Sequence, residues 1–243
     1  MTRTRLISSA AIAAAAIACA LSADSWDFKA EFSASNGNPN GAWSYGWMPT
    51  DFSTFHLYTT GWTEPTSVGW NTGVGEPIIW QNLGTGMAWG VPPGEISLHP
   101  GPGNTPSVAR WTAPAGVAGI VTVDGEFLPG DGAWLTVAVR HNNNLIWSAA
   151  NAGAFSIGLS VAPGDTVDFA VYDGYAYGNT PLRAVIHSGE CPGDFNGDGI
   201  ITAVDITLLL GVWGSNDAAA DLDGSGMVDA PDLAMILGLW GPC

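Results

Sequence analysis

Alternating apolar and polar positions predict β-strands through most of the chain. The clearest run, from Ala133 to Arg140, places Leu135, Val137 and Val139 on one face of a strand. The segment HNNNLIW that follows contains the turn residues needed to bring the chain back. This pattern predicts an antiparallel pair.

Two more alternating runs follow, from Phe155 to Val161 and from Val167 to Val171, and the turn Pro163-Gly164-Asp165 joins them in what we interpret as a hairpin. Further strands are predicted at residues 55–60, 77–81, 107–112, 118–127 and 182–187. Eight or so short strands at this spacing predict an all-β sandwich of two sheets, of the jelly-roll type.

A helical period appears only near the C-terminus, where DITLLLGVWG from Asp205 is matched by DLAMILGLWG from Asp232. The apolar residues at helical spacing are Ile206, Leu209, Leu210 and Trp213 in the first segment and Leu233, Ile236, Leu237 and Trp240 in the second. We expect two short helices that bury these faces against each other and stop at Gly214 and Gly241.

Each of these segments follows a twelve-residue acidic loop. Residues 194–205 read DFNGDGIITAVD and residues 221–232 read DLDGSGMVDAPD, so the second loop begins 27 residues after the first. A calcium loop needs oxygen ligands at positions 1, 3, 5, 7, 9 and 12 and a Gly at position 6 for its turn. The predicted ligands are Asp194, Asn196, Asp198, the Ile200 carbonyl, Thr202 through a water and Asp205 in the first loop, and Asp221, Asp223, Ser225, the Met227 carbonyl, Asp229 and Asp232 in the second.

Asp, Asn and Gly are also common in ordinary turns. Two loops that both carry the complete ligand pattern are less expected by chance, so the sequence favours two bound Ca²⁺ ions. Ile201 and Val228, at position 8 of each loop, are expected to pair and hold the loops side by side. Folding should depend on the metal, because without cations each loop crowds several carboxylates together. Cys191 and Cys243 bracket the segment and are expected to form a disulfide, two free thiols being the alternative.

The sequences of both loops are close to the pattern DxNxDGxxxxxD, and each loop is followed by an apolar helix. This arrangement resembles the type I dockerin family. The resemblance implies a module that docks secreted proteins onto cohesin modules of polysaccharide-degrading assemblies. Family members contact cohesin through hydroxyl residues at loop positions 10 and 11 and basic residues along the helices. Here those positions hold Ala203-Val204, Ala230-Pro231, Leu210-Gly211 and Leu237-Gly238. The partner is therefore a cohesin-like protein or another anchor, unless the apolar helices pack on the neighbouring domain.

Charge and composition divide the chain into three parts. Residues 1–23 have Arg3 and Arg5 before a short apolar run and a small-residue site at Ser22-Ala23, which predicts a secretory signal peptide; Cys19 offers lipoprotein processing as an alternative. Residues 24–190 form the predicted sandwich, and residues 191–243, with eight Asp and no Lys or Arg, the calcium-binding module. We expect a secreted protein, either free or attached to a cell surface, with no membrane-spanning segment. We expect no nucleic-acid partner, because a net charge of −16 cannot neutralise phosphates.

Aromatic residues supply the candidate binding chemistry of residues 24–190, which hold ten of the 12 Trp residues. Indole rings stack on the apolar faces of sugars, although most buried Trp residues simply pack a core. In WSYGW, alternation puts Trp43, Tyr45 and Trp47 on one face, which we interpret as the best candidate ligand contact unless it faces the core.

This part of the chain resembles lectin-like and carbohydrate-binding sandwiches of extracellular bacterial proteins. No catalytic motif is recognisable: six Glu residues show no pairing, the His residues lack metal-type spacing, and GxSxG and HExxH are absent. Three hypotheses remain open. The first is a non-catalytic glycan-binding protein with an attachment module, the second is a glycoside hydrolase carrying that module, and the third is a structural extracellular protein.

Overall fold

The computed structural model describes residues 24–132, 134–189 and 192–242, and within them the chain forms sixteen strands and three α-helices. The strands are β1 (Ser25–Asp27), β2 (Trp43–Trp47), β3 (His56–Leu57), β4 (Thr60–Glu64), β5 (Ser67–Asn71), β6 (Ile78–Asn82), β7 (Ile96–His99), β8 (Ser107–Thr112), β9 (Gly119–Phe127), β10 (Thr136–His141), β11 (Asn144–Ala150), β12 (Gly153–Val161), β13 (Thr166–Tyr172), β14 (Thr180–Ser188), β15 (Ile200–Ile201) and β16 (Gly241–Pro242). The helices are α1 (Phe28–Glu31), α2 (Ala203–Gly211) and α3 (Ala230–Gly238).

Two antiparallel sheets form the predicted sandwich. The first sheet has the order β12-β9-β14-β7-β6-β5-β4, with β1 also paired to β14, and the second has the order β11-β10-β13-β8-β2-β3. Apolar side chains from the inner faces of both sheets, such as Val123, Ile186, Val139 and Phe169, interdigitate in one core. The all-β sandwich followed by a small helical unit is therefore confirmed.

The alternating runs lie where the sequence predicts them, but one connection differs. β10 and β11 pair as expected, whereas β12 pairs with β9 in the first sheet and β13 pairs with β8 and β10 in the second. The prediction of a β12–β13 hairpin is thus wrong. The turn at residues 162–165 carries the chain between sheets, because both runs bury their apolar faces in the same core from opposite sides.

Two buried carboxylates tie distant strands together. Asp168 on β13 is fully buried and accepts two hydrogen bonds from Arg110 on β8, at 2.6 and 2.8 Å. Glu95, just before β7, accepts hydrogen bonds from Lys29 at 2.8 Å and from Arg183 on β14 at 3.0 Å. Each pair neutralises a carboxylate that would otherwise be costly to bury.

The C-terminal unit has an internal two-fold pattern. β15 pairs with β16, so that Ile201 lies opposite Gly241, while the Val228 backbone bonds to Gly214 and Ser215 at 2.8 and 2.9 Å. Residues 201 and 228, like 214 and 241, are 27 positions apart, so each loop contacts the segment that follows the opposite helix. The predicted pairing of Ile201 with Val228 is wrong, since the returning chain satisfies the backbone groups of both residues.

The two helices bury only part of the apolar surface that the sequence assigns to them. Leu209 on α2 and Ile236 on α3 are fully buried in a small core with Phe195, Ile201 and Val228. The outer apolar residues, Leu210, Trp213, Leu237 and Trp240, are about half exposed, so the expected full burial of these faces is wrong. The helices end at Gly211 and Gly238, so Trp213 and Trp240 lie beyond the helical faces that pack against the small core. Among the described residues, no helix is long and apolar enough to cross a membrane.

Candidate functional site

The two acidic loops have the same internal hydrogen bonds, which fold each loop around its first Asp. The carboxylate of Asp194 accepts from the backbone N–H groups of Asp198 (3.2 Å) and Gly199 (2.7 Å). Asp221 accepts from the equivalent groups of Ser225 (2.9 Å) and Gly226 (2.7 Å). These bonds wrap positions 5 and 6 around position 1, which is the arrangement that a cation-binding loop requires.

The last Asp of each loop closes it in the same way. Asp205 accepts from the N–H groups of Asn196 (3.3 Å) and Thr202 (2.8 Å), and Asp232 accepts from those of Asp223 (3.1 Å) and Asp229 (2.8 Å). The hydrogen bond from the Asp229 backbone is the main cause that holds the pKa of Asp232 below its ordinary value. This last carboxylate is therefore anionic, as a metal ligand must be.

The second loop fits a divalent cation on two further observations. One carboxylate oxygen from each of Asp221, Asp223 and Asp232 lies within 4.8 Å of the others. Oδ1 of Asp229, at position 9, is buried and has no hydrogen-bond partner among the described residues. Such an oxygen is costly unless something coordinates it, so the donor set, made of hard oxygens, suits Ca²⁺.

The first loop differs at position 9, where Thr202 serves as the N-cap of α2. Its Oγ1 accepts from Val204 N–H and donates to Asp205 at 3.2 Å. This hydroxyl is already used within the protein, which agrees with a water-mediated rather than a direct role at position 9. The predicted Cys191–Cys243 disulfide and the predicted signal peptide of residues 1–23 lie outside the described residues.

A second candidate site lies on the outer face of the first sheet. Trp62, Gly69, Trp80 and Ser97 lie opposite one another across β4, β5, β6 and β7. A Cβ on Gly69 would lie 2.4 Å from the Trp62 ring, so the missing side chain makes room for that indole above the sheet. These rings form the floor of a cleft of about 410 Å³, a volume typical of small-ligand sites.

One wall of the cleft is a tight turn that carries Trp89. Ala88 and Val91 exchange two backbone hydrogen bonds, and Trp89 and Gly90 between them both have positive φ, 49° and 73°. Asn82 anchors the loop through bonds to Gly86 O and Val91 O at 2.9 and 2.8 Å. A bulky residue rarely adopts this backbone, yet the Trp89 side chain is 75% exposed. Strain of this kind is typical of functional positions.

A partly buried hydrogen-bond relay holds another part of the cleft lining, next to the Trp89 turn. Trp80 Nε1 donates to Asn179 Oδ1 (2.8 Å), and Asn179 donates through its backbone N–H and Nδ2 to Asp131 (3.0 and 2.9 Å). His99 Nδ1 lies 2.7 Å from Pro100 O, which can only accept, so Nε2 is free to accept from Gly178 N–H at 3.3 Å. These bonds order the loop that presents Tyr177 beside the cleft.

The structure corrects the ligand contact predicted at WSYGW. Trp43 and Tyr45 are 0% exposed in the sandwich core, and Trp47 is half-buried and stacked on His56 with a centroid separation of 4.4 Å. The stripe faces the core, which is the alternative stated above. The aromatic residues of the cleft come from other segments, and a local signal was Gly90, a turn-forming residue directly after Trp89.

Comparison with known protein families agrees with the sequence interpretation of the C-terminal unit. Residues 192–237 match the family model described as "Dockerin type I domain", which confirms the resemblance of the C-terminal unit. Domains of this type bind calcium in general. Among curated proteins, none matches the chain.

Solved structures with likeness to the chain include a family 35 carbohydrate-binding module from Clostridium thermocellum. It has 14% identity and a TM-score of 0.29, and the match covers 39% of this chain and 78% of that one. A CBM35 structure from Paenibacillus barcinonensis gives 14% identity and a TM-score of 0.28, over 68% of this chain and 98% of that one. CBM35 from Cellvibrio japonicus Abf62 has 10% identity and a TM-score of 0.28, and the match covers 39% of this chain and 73% of that one. The sandwich itself is established by the strand pairing described above.

Proposed function

We propose that this protein is a secreted, non-catalytic glycan-binding protein whose sandwich holds a carbohydrate in the Trp62–Trp80 cleft. Its dockerin-like unit, organised by two Ca²⁺ ions, attaches it to a protein partner. The observation that carries the proposal is the cleft, in which exposed rings and fixed polar groups converge on one open surface.

The chemistry of the cleft suits a sugar. A pyranose presents apolar C–H faces that pack on aromatic rings, and hydroxyl groups that need hydrogen-bond partners. Trp62, Trp89 and Tyr177 supply rings, while Asp131 and Asn179 supply polar groups already held by the relay. Because these groups are ordered before a ligand arrives, little conformational entropy is lost on binding.

The attachment role rests on the C-terminal unit. Its outer surface carries Leu210, Trp213, Leu237 and Trp240, each about half exposed, and it has no Lys or Arg. An exposed apolar patch of this kind favours a protein partner. That partner is cohesin-like or another protein with an apolar docking surface, and the assembly would be extracellular, as the predicted signal peptide requires.

A glycoside hydrolase is the second candidate, because two carboxylates, Glu76 and Asp131, line the same cleft. Both oxygens of Asp131 already accept hydrogen bonds from Asn179, however, which favours a structural role for this carboxylate. Binding without turnover supports the first candidate, whereas release of reducing sugar that is lost in Glu76→Gln supports the second.

The proposal is tested by isothermal titration of the chain, in millimolar calcium, against a panel of soluble polysaccharides. We expect binding that Trp62→Ala weakens at least tenfold. Trp134→Ala is the matched control, because Trp134 is 91% exposed on the sandwich but lies outside the cleft. Equal loss in both variants, or binding to no polysaccharide of the panel, would contradict the proposal.

A further inference from the structure

The cleft does not end at Trp89. A second cleft, also of about 410 Å³, lies on the far side of that residue, and the two share Ser67, Trp80 and Trp89 along their common border. The second cleft is lined by the backbone and small side chains of the loop from Gly84 to Ala88, together with Met87, which is 71% exposed. The two clefts therefore form one continuous groove with the Trp89 ring between its halves.

The described residues that line this groove include acidic side chains but no basic Lys or Arg. Glu76 and Asp131 line the first cleft, and among the described residues no Lys or Arg lines either cleft. The whole chain carries a net charge of −16. A ligand with carboxylate or sulfate groups would meet only like charge here, and like charges at an interface discriminate against a partner.

Trp89 is positioned to contact sugars on both sides. Its backbone and that of Gly90 are left-handed (φ 49° and 73°), and Asn82 holds the loop through both of its amide hydrogens. Because Trp89 is 75% exposed and lines both clefts, it can contact a ligand in each of two adjacent binding positions. A site for a single terminal sugar needs only one such compartment.

From these observations we infer that the groove binds the interior of a neutral polysaccharide chain, with at least one sugar unit on each side of Trp89. The inference rests on the proposed function, since it specifies the ligand of the same cleft. It assigns the second cleft as a distinct subsite and excludes acidic glycans as preferred ligands.

The test compares ligands of different length and charge on the full chain. A neutral polysaccharide that binds is cut to its monosaccharide, disaccharide and tetrasaccharide, and each is titrated beside polygalacturonate as the acidic arm. We expect the tetrasaccharide to bind at least tenfold more tightly than the monosaccharide, and polygalacturonate to bind at least tenfold more weakly than the neutral polymer.

Two variants separate the subsites. Met87 lines only the second cleft, so Met87→Asp should weaken binding of the tetrasaccharide about tenfold and binding of the monosaccharide much less, whereas Trp89→Ala should weaken both. Trp134→Ala again serves as the control. Equal affinity for all lengths, or a preference for polygalacturonate, overturns this inference and leaves the proposed function intact, while the absence of binding to every glycan overturns both.

Discussion

A methyl group added at Gly90 tests whether the Trp89 turn is built as the structure shows it. The Cβ of Gly90→Ala would lie 2.4 Å from both Asp131 N and Gly130 C, which are backbone atoms that cannot rotate away. The residue also has φ 73°, a conformation that alanine adopts only at a cost. The substitution should therefore push the turn away from residues 130–131.

Two contributions set the size of the effect. Placing an L-residue with a Cβ in left-handed backbone costs roughly 1–2 kcal/mol, and inserting a methyl into a closed contact costs about 1–3 kcal/mol. The free energy of unfolding should fall by about 2–5 kcal/mol, unless the turn relieves the clash by shifting. A shift moves Trp89 and weakens glycan binding instead.

Gly86→Ala is the matched control. It lies in the same loop, is exposed, lacks a positive φ, and its added Cβ would meet none of the described residues within 4 Å. Both variants are compared by urea denaturation in saturating calcium, and Gly90→Ala is titrated with glycan beside the parent chain, because Gly86 lines the second cleft. If the two variants unfold within about 0.5 kcal/mol of each other and Gly90→Ala binds glycan as well as the parent chain, the close packing of Gly90 on residues 130–131 is refuted.

Three further predictions concern charge and metal. Glu95→Gln should cost about 1–3 kcal/mol near neutral pH and much less at about pH 3. Burial raises the pKa of Glu95, but its two cationic neighbours outweigh this and hold the pKa below the ordinary 4.5. The anion's contribution to stability is therefore complete above the ordinary pKa and is lost as the pH falls through the lowered pKa of the folded state. An equal cost at both pH values in urea titrations would argue against this. Asp168→Ala should cost about 3–5 kcal/mol in the same assay, because Arg110 then stays largely buried without its partner; a cost under about 1 kcal/mol would refute that role. Asp194→Ala combined with Asp221→Ala should abolish calcium-dependent protection of the C-terminal unit from proteolysis, and equal resistance in chelator and in millimolar calcium in the parent chain would contradict metal-coupled folding.

The alternation of apolar and polar residues predicted the strands that bury one face in the core. β10, β12 and β13 follow the expected pattern because each buries one row of apolar residues. β4 (TGWTE) and β5 (SVGWN) were missed, since each has a Gly in its interior and β4 is almost wholly exposed. Their place in the sheet comes from the pairing of β4 with β5 and of β5 with β6, which no local pattern records.

The candidate contact at WSYGW shows a second limit of alternation. A period of two identifies residues that share a face but not the direction in which that face points. β2 lies between β8 and β3 in the second sheet, and this position turns Trp43 and Tyr45 inward, against Phe28. Trp62 and Trp80 look similar in sequence, yet they lie on the outer face of the opposite sheet.

The two sites differ in how far apart their residues lie along the sequence. Each acidic loop draws its proposed ligands from twelve consecutive residues, and the hydrogen bonds that Asp194 and Asp221 accept from their loops span at most five positions. The order of the oxygens along the chain therefore nearly determines their order in space. The cleft joins Trp80 to Asn179 across 99 positions and Asn179 to Asp131 across 48, through strands of one sheet and the loops above them. Nothing near Trp80 in the chain indicates its partner. A site made of consecutive residues can therefore be found from spacing alone, whereas a site assembled by a sheet becomes visible only when the strand order is known.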